Sequence, residues 1–234
     1  MQTNTLLEVP KIIHQTWVGP RPVPTKWTQT WINFCAEHGF TYKLWREADI
    51  EELLKNHPAK SLYDIQQQYS AKSDIARFEI LAKYGGIYVD ADTVFLSQNA
   101  EKLLNWRDLV IVPDPDPNNK LIRTGIIGCT QEHPFLKFIS ETMHTIIGSR
   151  QRMFGYAYES SWITTGPAFF SEAFIFMKPE ASILDPLLFY PSDWGENDMQ
   201  KSVSQLKMEH PGAVTFHHGY GKKRLHEQSD QFVL

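Results

Sequence analysis

The sequence predicts an α/β fold, on three observations. Short β-rich runs alternate with segments of helical period, the pattern of a sheet covered by helices. One helix is separated from the strand after it by Gly85-Gly86 alone. Asp90-Ala91-Asp92 then falls at the C-terminal end of that strand, the edge at which open α/β sheets bind ligands. The chain has 234 residues, 42% hydrophobic and 13% aromatic. That length can bury a large core without disulfides or a structural metal, and the apolar content argues against a disordered chain.

The elements follow in order. Ile12 to Trp17 is apolar at its start and β-rich, and Gly19-Pro20 ends it, so it reads as a strand leading into a proline-containing loop. Lys26 to His38 places Trp27, Trp31 and Phe34 on one helical face, and Gly39 stops it. Thr41 to Trp45 alternates as a second strand, and Glu47 to Asn56 reads as a helix before Pro58. Ser73 caps, or sits in the first turn of, a helix with an apolar stripe of Ile75, Phe78, Leu81 and Ala82. Tyr84 ends that helix and the glycine pair supplies its left-handed stop. Ile87-Tyr88-Val89 is the short strand that delivers the two aspartates. Leu109 to Val112 and Gly125 to Cys129 read as strands flanking a polar loop, Asp114 to Asn119. Pro134 to Ile147 and Pro167 to Met177 read as helices opened by proline. Ala213 to His217 is a last strand before a basic tail.

Composition excludes several classes. Lys+Arg number 23 against 27 Asp+Glu, so the net charge is −4, and nucleic acid is not an expected partner. Two cysteines, Cys35 and Cys129, make neither a disulfide framework nor a four-cysteine zinc site, and buried free thiols are expected. Met1 to Pro10 lacks the basic-then-apolar pattern of a secretory signal. No run approaches the roughly 18 apolar residues of a membrane span. A soluble, cytoplasmic protein is the expectation.

Asp90 and Asp92 are the residues with the clearest chemistry. Two carboxylates one residue apart repel, and one tends to take up a proton. A hard divalent cation, Mg²⁺ or Mn²⁺, relieves that repulsion and also bridges phosphates. Asp74 and Arg77 share a face of the preceding helix. They read either as a surface ion pair or as a clamp on sugar hydroxyls and phosphate oxygens. Trp17 is either core or a stacking platform for a planar base. His217 and His218 are candidates for metal or phosphate contact, and solvated or core histidines are the plainer alternative. Tyr156, Tyr158 and Trp162 read as core aromatics or as an acceptor platform.

Taken together, Ser73-Asp74-Ile75-Ala76-Arg77 and Tyr84-Gly85-Gly86-Ile87-Tyr88-Val89-Asp90-Ala91-Asp92 resemble the core motif of D-x-D glycosyltransferase family 32. That family includes the yeast initiating α-1,6-mannosyltransferase and capsule-type bacterial enzymes. The catalytic domains of the clostridial glucosylating toxins look like more distant relatives. Pro10 to Trp17 and Thr165-Gly166-Pro167 also recur in the family. The resemblance is strong over residues 10–97 and weaker to about residue 220.

It implies a single GT-A, Rossmann-like domain over residues 10–234 behind a tail of residues 1–9. Residues 10–112 would form the donor and metal half, and residues 113–234 the acceptor half. It further implies a nucleotide-diphosphate sugar donor, Mn²⁺ or Mg²⁺, a glycan or other hydroxyl acceptor, and hexose transfer with retention. By that resemblance Asp92 ligates the metal, and Asp90 contacts both ribose and metal. Asp74, Arg77 and Tyr88 hold the donor sugar. Trp17 stacks on the base with Thr16 and Ser73 nearby, and His217 or His218 reaches the metal or diphosphate. Family members often follow the histidine with a Ser-Trp pair, whereas here Gly219-Tyr220-Gly221 follows. Two other readings compete. Asp90-Ala91-Asp92-Thr93-Val94 also fits the first motif of haloacid-dehalogenase-like phosphatases, with Asp90 as nucleophile. A non-catalytic nucleotide-sugar-binding module is the third.

Overall fold

The computed structural model describes residues 7–96, 99–154, 161–192 and 200–219. Eight strands are found among them: β1 (Ile12–Thr16), β2 (Thr41–Trp45), β3 (Gly86–Val89), β4 (Thr93–Phe95), β5 (Leu109–Pro113), β6 (Ile122–Cys129), β7 (Ser182–Ile183) and β8 (Thr215–His217). Six form a central sheet in the order β2-β1-β3-β6-β5-β7, while β4 and β8 form a separate ribbon. Within the sheet β1 pairs parallel with β2 and β3, and β5 pairs parallel with β7. β6 runs antiparallel between β3 and β5. The sheet is therefore mostly parallel, with one reversed strand, as the α/β, GT-A expectation requires.

The helices are α1 (Thr25–His38), α2 (Glu47–Leu54), α3 (Ala59–Ile65), α4 (Tyr69–Tyr84), α5 (Pro134–Phe154), α6 (Ser161–Thr164), α7 (Pro167–Met177), α8 (Pro186–Phe189) and α9 (Val203–Glu209). They cover both sheet faces. On one face Phe78 of α4, Phe135 and Ile139 of α5 and Phe170 of α7 pack with Tyr88, Ile111 and Ile127. On the other, Trp31 and Phe34 of α1 and Phe189 of α8 pack with Ile13, Ile87, Val89 and Val110. Alternation along β3 explains the split: Ile87 and Val89 face one layer and Tyr88 the other. Each large side chain so buried contributes roughly 1.5–3 kcal/mol.

The structure departs from the sequence expectations in several places. α4 begins at Tyr69, so Ser73 lies inside it rather than capping it or opening its first turn. Extended backbone at Gln68 starts the helix without a side-chain cap. β6 begins three residues earlier than Gly125, and α5 continues beyond Ile147. The elements α3, α6, α8, α9, β4 and β7 are two to seven residues long, too short to show a period. The basic tail from residue 222, Tyr156 and Tyr158 lie outside the described residues. Cys35 and Cys129 are buried and free. Among the described residues no helix is long and apolar enough to cross a membrane.

The α4–β3 junction sets the position of the aspartates. Gly85 has φ +63°, and a Cβ there would meet the Gln131 amide at 2.5 Å. Gly86 has φ +90°, and its Cβ would meet the Ile12 carbonyl at 2.9 Å. Both positions need a residue without a side chain. His14 completes the junction: Nε2–H donates to the Gly85 carbonyl at 3.0 Å, and Nδ1 accepts from Trp45 Nε1 at 3.1 Å. Burial lowers its pKa to about 4, so the ring is neutral and the tautomer follows from its two partners.

A second buried titratable group packs α4 against α5. Glu79 is 4% exposed. Ser140 Oγ donates to its Oε2 at 2.6 Å, and His57 Nε2 lies 3.3 Å from the same oxygen. Burial pushes Glu79 up to about 7, against the opposing Ser140 bond. Burial also lowers His57, so near neutrality this is a hydrogen bond rather than an ion pair. The folded protein holds a proton that the unfolded chain releases near 4.5. Glu79's contribution to stability is full below that value and is lost as pH rises through about 7. Glu79→Gln should flatten this limb: relative to the variant, the parent's Tm falls between about pH 5 and pH 8. His14 titrates with the opposite sign but is common to both proteins. Parallel Tm profiles would remove Glu79 as a source of the dependence.

Candidate functional site

The site lies at the C-terminal edge of the parallel strands. β1 delivers Thr16 and Trp17, and β3 delivers Asp90 and Asp92. α4 brings Asp74 and Arg77, one turn apart, onto the layer that Tyr88 faces. A tight turn follows β3, closed by the Thr93 amide donating to the Asp90 carbonyl at 3.0 Å. That turn carries both carboxylates out of the sheet. The Asp90 backbone is held from both sides, its amide donating to the Gly125 carbonyl at 2.8 Å and its carbonyl accepting from Gln15 Nε2 at 3.2 Å.

Arg77 is 4% exposed and joins two carboxylates. Its Nη1 donates to Asp74 Oδ1 at 2.7 Å, and its Nη2 to Asp90 Oδ1 at 2.6 Å. The guanidinium lies 4.5 Å over the Tyr88 ring, a cation–π contact in a desolvated setting. The Tyr88 hydroxyl pairs with Thr16 Oγ1 at 2.8 Å. Asp74 Oδ2 accepts from Thr165 Oγ1 at 3.0 Å. Asp74 is thus buried with both oxygens engaged, while Arg77 Nε is buried with no partner among the described residues. Burial pushes Asp74 up to about 6 against the pull of Arg77. For Asp90, burial would act upward, but the Arg77 guanidinium and His217 hold it well below the usual carboxylate range.

The β4–β8 ribbon brings the late histidines to the aspartates. Thr93 pairs with His217 in register, and the His218 amide donates to the Asp92 carbonyl at 3.0 Å. Trp31 of α1 anchors β4 through Nε1 to the Thr93 carbonyl at 2.8 Å. His217 Nε2 consequently lies 3.0 Å from Asp92 Oδ1 and 3.6 Å from Asp90 Oδ2. Burial alone would lower His217, but Asp92 and Asp90 outweigh it and raise its pKa to about 9. His218 points elsewhere: its ring stacks on Trp27 at 4.5 Å and meets the edge of Phe216 at 5.1 Å.

Asp90, Asp92 and His217 each offer one ligand atom, all within 4.8 Å of one another. Two carboxylates and one imidazole suit a hard divalent cation, and the nitrogen favours Mn²⁺ over Mg²⁺. The donor set fits the metal that the motif implies. Arg77 occupies Asp90 Oδ1 and leaves Oδ2 on the His217 side.

Other predicted residues take these places. Trp17 is half-buried, with Nε1 donating to the Arg21 carbonyl at 2.9 Å. Ser73 is half-buried on α4, one turn before Arg77. Trp162 lies on α6, half-buried. Sequence reasoning gave Thr165 a motif but no role, and missed Tyr190 and Gly125. A Cβ at Gly125 would meet Asp90 Oδ2 at 2.8 Å and the Tyr190 hydroxyl at 3.0 Å. A lone tyrosine before Pro191 carries no sequence signal. Asp114, which opens the polar loop between β5 and β6, accepts from Arg123 Nε at 2.5 Å.

Comparison with known proteins bears on the family and the fold. Residues 24–108 match the family model described as "Glycosyltransferase sugar-binding region containing DXD motif". Inositol phosphoceramide mannosyltransferase 3 of Schizosaccharomyces pombe is 28% identical over 172 residues, covering 72% of this chain and 46% of that protein. The chain thus spans about half the length of the curated relatives it matches. Among solved structures, PaToxG Glycosyltransferase superposes with a TM-score of 0.58 at 15% identity, covering 87% of this chain and 76% of that one. The UDP-bound glycosyltransferase domain from the YGT toxin gives 0.53 at 9% identity, covering 76% and 80%. These likenesses show the fold, and the resemblance to D-x-D sugar transferases stands.

Arg77→Ala would leave Asp74 and Asp90 without their cation, and stability should fall by about 3–5 kcal/mol. Urea unfolding of the two proteins measures it. A loss below about 1 kcal/mol would show that the carboxylates do not depend on Arg77.

Proposed function

We propose, with the DXD sugar-binding match of residues 24–108 as premise, that the chain is a metal-dependent glycosyltransferase. It moves a hexose from a nucleotide-diphosphate sugar to a hydroxyl acceptor, with retention of configuration. The observation that carries this reading is the convergence of Asp90, Asp92 and His217 on one point. The family match covers the D-x-D as a glycosyltransferase motif, which weighs against the phosphatase reading.

Mn²⁺ or Mg²⁺ held by Asp90, Asp92 and His217 would supply Lewis-acid stabilisation of the departing diphosphate. The chain's own groups do the rest. Asp92 and His217 complete the ligand set, and Arg77 fixes the Asp90 carboxylate so that it need not reorganise. Asp74 and Arg77 border the donor sugar, with the buried Arg77 Nε as a remaining donor. Trp17 takes the base, near Thr16 and Ser73. Both oxygens of Asp74 are engaged within the protein, so it makes a poor covalent nucleophile. This supports direct attack by the acceptor hydroxyl on the face the diphosphate leaves. The bond from the anomeric carbon to the phosphate oxygen breaks, the bond to the acceptor oxygen forms, and the acceptor proton passes to the departing diphosphate. Residues 10–112 hold the donor, residues 113–234 the acceptor, and His217 links the halves.

Three measurements test this. The Tm should rise with one class of nucleotide, UDP- or GDP-linked, and only when Mn²⁺ is present, because a ligand specific to the folded state stabilises it. No response to either nucleotide with Mn²⁺ would overturn the reading. Asp92→Asn should lower kcat by at least about 100-fold with little change in Tm, as expected when a transition-state charge stabiliser is lost. Full activity with Mn²⁺ would remove Asp92 from the ligand set. Trp17→Ala should raise the donor KM more than it lowers kcat, since stacking on the base is the same in ground and transition states. An unchanged KM would return Trp17 to a packing role.

A further inference from the structure

Beside the carboxylates lies a cleft of about 300 Å³ lined by Pro115, Asp116, Leu187, Tyr190, Pro191 and Ser192. That volume is at the lower end for small-ligand sites. Its walls come from the β5–β6 loop and the segment after α8, both in the half assigned to the acceptor. Tyr190 joins this cleft to the site. It is one of the lining residues, and its ring meets the His217 ring edge-on at 5.8 Å. The residue is 3% exposed, and its hydroxyl is buried without a partner among the described residues. A buried hydroxyl without a partner is costly unless a ligand or water satisfies it. Gly125 lets that hydroxyl and Asp90 Oδ2 crowd the same point, because a Cβ there would lie 3.0 Å from the one and 2.8 Å from the other.

Resting on the glycosyltransferase reading above, we propose that this cleft receives the acceptor, that the Tyr190 hydroxyl positions it beside Asp90, and that the acceptor is an uncharged polyol such as a sugar ring. The lining supports the class. Proline, leucine and tyrosine offer apolar surface to the C–H face of a ring, and Asp116 offers its carboxylate to the ring hydroxyls. Asp116 is the charged residue of the lining, and its carboxylate repels a phosphorylated acceptor. The nearby guanidinium of Arg123 is engaged by Asp114.

The test uses the full chain with its stabilising nucleotide sugar and Mn²⁺. Transfer is followed to methyl α-D-mannopyranoside, methyl α-D-glucopyranoside and myo-inositol 1-phosphate, alongside donor hydrolysis. One or both methyl glycosides should be used about fivefold or more better than the phosphate, the scale of one exposed like-charge contact. Asp116→Asn, at an exposed position, should narrow that gap. Tyr190→Phe should raise the KM for the accepted glycoside about five- to tenfold, the effect of one neutral hydrogen bond. It should leave the Kd for the nucleotide with Mn²⁺ unchanged, a split that a merely structural role would not produce. The proposal is overturned by an unchanged acceptor KM in both variants, by a shift in nucleotide Kd alone, or by equal use of the phosphate. Donor hydrolysis with no transfer to either glycoside overturns it too and leaves the glycosyltransferase reading intact. Absence of nucleotide binding sinks that reading first and this one with it.

Discussion

The arrangement depends on one buried cation. Arg77 sits between Asp74 and Asp90 at 2.7 and 2.6 Å, with an aromatic ring beneath it. Three like-charged carboxylates, counting Asp92, gather at one sheet edge. Without the guanidinium their repulsion and desolvation would oppose folding there. With it, Asp90 stays ionised and its orientation is set before any ligand arrives. The same contact couples the core to the site, because Arg77 and Asp74 belong to α4, whose apolar face packs one side of the sheet together with α5 and α7.

A second constraint acts from the far end of the chain. The β4–β8 ribbon is only three residues wide, yet it determines which histidine faces the aspartates. Alternation along β8 turns Phe216 into the core and His217 toward Asp92, and His218 then stacks on Trp27. Asp92 and Asp90 raise the His217 pKa to about 9, so its imidazole turns positive charge toward the carboxylate pair. Two cations, Arg77 on one side and His217 on the other, thus offset most of the charge of the three carboxylates. Together these groups shape a position that a divalent cation suits.

Much of this was legible in the sequence because it is local. The helix, the glycine pair, the strand and the two aspartates occupy consecutive residues, and each imposes its conformation on the next. Gly85 and Gly86 have positive φ values and no room for a Cβ, so the junction is written in the residues themselves. The placement of Asp74 and Arg77 on one helical face follows from the same locality. Short elements escaped because two to seven residues carry no period, and the start of α4 escaped because Gln68 offers no side-chain cap.

By itself the sequence determined the α/β class, the strand end that carries Asp90 and Asp92, and the helix that brings Arg77 beside them, since these rest on contacts between near neighbours. Only the tertiary structure decided that His217 rather than His218 meets the carboxylates. It alone decided that Thr165 caps the buried Asp74 oxygen, and that Tyr190 and Gly125 border the same space. Those partners are separated by 35 to 127 residues along the chain. Their meeting is set by sheet order, strand register and packing, which no spacing in the sequence encodes.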